Sequence, residues 1–140
     1  MSDLTAPAVI FPGQGPESTY RTAHDLLSRR FPREALELIE PALADAGPDE
    51  KQRTTGLRTL QAWAYLLRAQ LEKAEGVLRG LIEDDPSDVW AQHALGRALE
   101  RQSKYAEALP HLRLAAVMSG DYDHEAAAFR VQQRLAASAE

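Results

Sequence analysis

A 34-residue echo runs through the middle of this chain. Ala74 recurs as Ala108, Leu71 as Tyr105, Leu78 as Leu112 and Ala62 as Gly96. A period of this length belongs to a unit of two helices that cannot bury its apolar face alone and must stack on its neighbours. Such a chain is built by stacking, and stacked chains usually offer a binding surface rather than a catalytic pocket.

Bulk properties agree with that reading. Ala and Leu dominate, β-branched residues are scarce and charges are interspersed, which is a helical composition. A length of 140 residues suits one domain. The absence of cysteine excludes disulfides and zinc–thiolate sites. A net charge of -5 argues against general nucleic-acid binding, which needs a concentrated basic face. The opening residues MSDLTAPAVIF lack the basic and long apolar regions of a secretory signal. No window approaches the ~18 consecutive apolar residues of a membrane span. The expectation is a soluble, cytoplasmic protein with no membrane and no nucleic-acid partner.

Periodicity divides the chain further. Residues 1–16 hold Pro7, Pro12, Gly13, Gly15 and Pro16 and read as a flexible tail. Residues 17–140 read as one domain of seven helices. The first starts at a cap on Ser18 or Thr19 and runs to about Arg30. The others cover about 32–46, 49–69, 71–84, 87–102, 104–118 and 121–137. Pro41 predicts a kink or an early end in the second helix. Asp85 is placed to cap the fifth, with Pro86 in its first slot, and Gly120 to close the sixth.

These residues resemble the tetratricopeptide repeat family. Leu95-Gly96, Tyr105, Ala108, Leu112 and Ala115 follow the spacing of its motif in a repeat at about 89–122. Ala62, Tyr65, Ala74, Leu78 and Pro86 do so at about 55–88. A divergent first repeat at about 16–50 keeps Ala23, Leu26, Ala35, Ile39 and Ala42 but runs about five residues longer. The helix at about 121–138 resembles a capping helix. The resemblance implies an all-α, right-handed superhelix of stacked antiparallel helix pairs.

It also implies a concave groove lined by the first helix of each pair. That assigns Tyr20, His24, Trp63, Leu67, Trp90, His93, Arg97 and Arg101 to partner binding. Leu27 and, from the capping helix, His124, Ala127, Val131 and Arg134 join them. Arg97 and Arg101 lie one helical turn apart, so both can reach one carboxylate. The implied partner is a protein or peptide, with an acidic group or a C-terminal carboxylate. The Asn and Lys residues of the family's chaperone-tail clamp are missing from this pattern.

No chemistry competes with that reading. Val9–Pro16 resembles the opening strand of acyl transferases, but the G-x-S-x-G elbow such enzymes need is absent. The four histidines form no H-E-x-x-H pair. The chain is therefore read as a non-enzyme without cofactor or metal. Its alternatives are a chaperone dedicated to one partner and a self-associating scaffold, a homo-oligomer.

Overall fold

A computed structural model describes residues 16–51 and 53–139; the expected tail falls outside the described residues. Among them are seven α-helices and no strand: α1 (Pro16–Ser28), α2 (Pro32–Asp45), α3 (Thr55–Leu67), α4 (Leu71–Asp84), α5 (Val89–Arg101), α6 (Tyr105–Ser119) and α7 (Tyr122–Ser138). The chain gathers into two compact units that divide between Ala69 and Gln70. In the first, α1 packs on α2 and α3, and α2 packs on α3. In the second, α4, α5, α6 and α7 each pack on the next, and α5 also touches α7.

The repeat governs which side chains are buried. Ala23, Ala62 and Gly96 hold one slot, and Ala35, Ala74 and Ala108 hold another; all six are buried. Leu26, Tyr65 and Leu99 share a third slot, and Ile39, Leu78 and Leu112 a fourth. Small residues let helix axes approach, while the bulky ones fill the space between, each worth roughly 1.5–3 kcal/mol of burial. At Gly96 the approach is close: a Cβ there would stand 2.4 Å from Leu112 Cδ2 and 3.3 Å from the Leu112 backbone nitrogen.

Within each of these four slots the last two residues are 34 apart and the first two 39 apart. The five extra residues sit in a single place. The link 46–54 between α2 and α3 has nine residues, against four in the link 85–88 between α4 and α5. A 3₁₀ turn at Pro48–Glu50 fills the longer link.

Three boundaries differ from the sequence reading. The first helix begins at Pro16, whose missing N–H is no loss in a first turn. Ser18 therefore lies inside it, where its carbonyl accepts a hydrogen bond from Thr22 Oγ1 at 3.2 Å. The third begins at Thr55 rather than near Asp49, where a separate 3₁₀ turn at Pro48–Glu50 stands instead; the Thr54 hydroxyl donates to the carbonyls of Glu50 and Lys51, both at 3.1 Å. α2 runs through Pro41 to Asp45, so the early end does not occur. Asp85 does not cap the fifth helix. Its N–H closes α4 on the Leu81 carbonyl, and its carboxylate accepts from Ser87 N and Oγ in a tight turn. Asp88 caps α5 instead, accepting from Ala91 N at 3.0 Å. Gly120 closes α6 as expected, at φ 65° with its N–H on Ala116.

One repeated feature carried no sequence signal. Arg30, Ala69 and Ser103, each two residues beyond the end of α1, α3 and α5, adopt φ of 68°, 57° and 62°. Phe31 N donates to Leu26 O, and Lys104 N to Leu99 O, closing the turns that left-handed residues permit. Glycine is the residue such positions favour, and none stands here. Ser103→Gly is expected to raise stability by about 0.5–1 kcal/mol, by removing the steric cost of a Cβ at positive φ. Urea denaturation reads this as a higher midpoint with an unchanged slope; a lower midpoint contradicts it.

Candidate functional site

In the first unit, Tyr20 and His24 lie one turn apart on the flank of α1 that meets α3, beside the buried Ala23 and Leu27. The rings stack at 5.9 Å with 29° between their planes. His24 in turn meets Trp63 of α3 edge-on, at 5.8 Å and 65°. The three rings assigned from the sequence thus form one continuous aromatic row. Leu67 lies one turn beyond Trp63 and is half-buried. At the other end of the row, Gly56 makes room for Tyr20, whose ring edge stands 3.0 Å from where a Cβ would sit. A cavity opens beside it, lined by Glu17, Tyr20, Arg21, Arg53 and Leu57. Leu27, expected among the groove residues, is buried in the core and cannot line a surface.

In the second unit, α5 and α7 bring their polar residues together. His93 is half-buried and stacks on His124 at 4.1 Å with 27° between planes. Its Nδ1 is buried without a hydrogen-bond partner among the described residues. His124 Nδ1 meets Ser119 Oγ at 2.8 Å. Arg97 pairs with Glu100 at 3.2 Å. Arg130 donates to both oxygens of the same carboxylate, from Nε at 2.6 Å and from Nη2 at 2.8 Å. Glu100 therefore sits between two guanidiniums, and one of the arginines assigned to a partner's carboxylate already faces a carboxylate of its own chain. Arg101 stands exposed in the last turn of α5, and Trp90 is 40% exposed in the first. Arg134 lies over the Tyr105 ring at 5.4 Å. Ala127 and Val131 are core residues, not surface ones.

Arg130 escaped the sequence reading because its partner is 30 residues away, and no local spacing links the two. The same holds for Glu75 with Gln102 and Lys104, 27 and 29 residues away, whereas its partner Arg79 is one helical turn on. Gln92 is a further buried polar residue. Its amide nitrogen donates to the Pro86 carbonyl at 3.0 Å, which leaves Oε1 facing His111 Nδ1 at 2.8 Å. That orientation requires the proton of neutral His111 to sit on Nδ1.

These surroundings set the protonation states. Burial pushes His93 down to about 4, and the positive charges of His124, Arg97 and Arg130 add to it, with Asp121 opposing. Burial also lowers His111, with Arg79 adding and Glu107 opposing. The hydrogen bonds from Arg130, with the charges of Arg130 and Arg97, hold Glu100 below the usual carboxylate range against the effect of burial. Burial works to raise Glu75, but hydrogen bonds from Gln102 and Arg79 and the charge of Lys104 outweigh it. Among the described residues, no three His, Cys, Asp or Glu side chains cluster as metal ligands. No helix among them is long and apolar enough to cross a membrane.

All four shifts act in one direction. The unfolded chain takes up protons at its histidines near pH 6.5, before folded His93 or His111 does so. Stability is full above that pH and declines as pH falls towards about 4, where folded His93 protonates. The lowered carboxyls of Glu75 and Glu100 extend the loss as pH falls below their usual range. Urea midpoints measured from pH 8 to pH 4 are expected to fall below pH 6.5, and His93→Gln to flatten that fall. An unaltered slope in the variant contradicts the assignment.

Comparison with protein-family models gives no match, and comparison with curated proteins gives none. Solved structures do match. The first TPR domain of the human RPAP3 protein superposes with a TM-score of 0.75 over 87% of this chain and 93% of that one, at 16% identity. MamA of MSR-1 gives 0.76 over 95% and 75%, at 17% identity. The second TPR domain of human RPAP3, solved in complex with the HSP70 peptide SGPTIEEVD, gives 0.69 over 84% and 98%, at 20% identity. The all-helical architecture and these superpositions establish that the chain has the tetratricopeptide-repeat fold.

Proposed function

We infer that this protein is a non-catalytic interaction module that binds a peptide or helix of a partner protein. The observation that carries this reading is the row Tyr20–His24–Trp63. Three rings from two helices are held at contact distance, and Tyr20 remains 38% exposed. A rigid aromatic row offers a partner's apolar side chain a large contact at low entropic cost. In the second unit, Trp90, His93, Arg97 and Arg101 give α5 an aromatic and cationic character suited to an acidic segment or a terminal carboxylate. The second TPR domain of human RPAP3, of the same fold, was solved with a peptide bound. The alternative of a chaperone dedicated to one partner uses the same residues, and differs in whether the partner is stable without this chain.

The two tryptophans report on the two units separately. Peptides selected from a random library are expected to shift the emission of Trp63 in the Trp90→Phe variant. Tyr20→Ala is expected to weaken that binding about tenfold or more, at an unchanged thermal midpoint. Binding that leaves Trp63 emission unmoved, or that survives Tyr20→Ala undiminished, contradicts the assignment.

A further inference from the structure

The last helix keeps one side bare. α7 buries Ala127, Ala128 and Val131, and its opposite side presents Tyr122, Ala126, Phe129 and Gln133. These four follow one another at spacings of four, three and four, the seam of a helix that pairs with another helix. Tyr122 is 80% exposed and Phe129 61%. Two large aromatics this exposed on one helical row mark a surface that an apolar partner covers.

We propose that a second copy of this chain covers it, with the two α7 helices antiparallel about a two-fold axis near residues 127 and 128. The row is complementary to its own reverse. Antiparallel pairing sets Phe129 of each copy over Ala126 of the other, large into small, and Tyr122 over Gln133, whose amide can reach the phenol. Parallel pairing would set Phe129 on Phe129 and Ala126 on Ala126, leaving a gap between bulky layers and aligning the helix dipoles unfavourably.

The flanks fit the same arrangement. Asp123 and Arg130 lie on the edge of α7 nearer α5, the edge from which Arg130 reaches Glu100. Antiparallel symmetry brings each edge against its own copy, so Asp123 faces the other copy's Arg130. That guanidinium spends Nε and one Nη2 hydrogen on Glu100, and its remaining donors are available to a second carboxylate. On the other edge, Glu125 faces Gln132, an acceptor against a donor. Each aromatic contributes most of roughly 150–250 Å². The seam is therefore smaller than the ~800 Å² per partner of a standard interface, and the dimer is weak and concentration-dependent.

Sedimentation velocity from about 10 μM to about 500 μM tests this. The chain is expected to pass from monomer towards dimer, and Phe129→Glu, exposed and harmless to the core, to weaken the association at least about tenfold. The chain has no cysteine, so introduced ones report orientation cleanly. A mixture of Glu125→Cys and Gln132→Cys chains is expected to cross-link to each other faster than either does to itself. A monomer throughout the range, a dimer indifferent to Phe129→Glu, or cross-links no faster in the mixture would each overturn the proposal.

Discussion

The seating of Leu112 over Gly96 is the contact on which the second unit depends. Leu112 is fully buried, and its Cγ and Cδ2 occupy the space a Cβ at Gly96 would need. α5 and α6 can lie this close only because one of them offers bare backbone there. The related slots at Ala23, Ala35, Ala62, Ala74 and Ala108 show the same economy, each fully buried and each too small to hold its neighbours apart. Burial of the leucines around them follows from close approach; without it, the interior would open cavities that cost several kcal/mol.

The left-handed turns after α1 and α5 serve the same geometry. Each reverses the chain within three residues, so the next helix of its unit starts where the small slots require it. Non-glycine residues hold these turns at a conformational cost, which packing on either side offsets. The longer link 46–54 shows where the repeat tolerates length. Five residues enter between α2 and α3 while every buried slot on either side keeps its place.

Much of this was legible in the sequence, because repetition turns a long-range property into a local one. Ala74 and Ala108 announce their role by recurring, and the seven helices follow from the 3.6-residue period. The aromatic row was legible in part. Tyr20 and His24 share a face by spacing, and the 39-residue offset relates His24 to Trp63 but Tyr20 to Thr59, and ring angles have no sequence signature. Helix starts were least legible. Asp85 and Asp88 are equally good caps by composition, and only the closing bond from Asp85 N to Leu81 O decides between them. Glu100 with Arg130 was invisible, since a surface pair 30 residues apart follows no period, and it changes how Arg97 must be viewed.

A double-mutant cycle on Gly96→Ala and Leu112→Ala tests the central contact most directly, with stabilities read from urea unfolding. Each single variant is expected to destabilise, by about 1–3 kcal/mol for the overpacked Gly96→Ala and about 2–5 kcal/mol for the cavity left by Leu112→Ala. In the double variant the new methyl enters the space Leu112 has vacated, so the loss is expected to fall short of the sum by more than about 1 kcal/mol. Losses that add within about 0.5 kcal/mol would show that the two residues do not compete for one space, and would contradict the account.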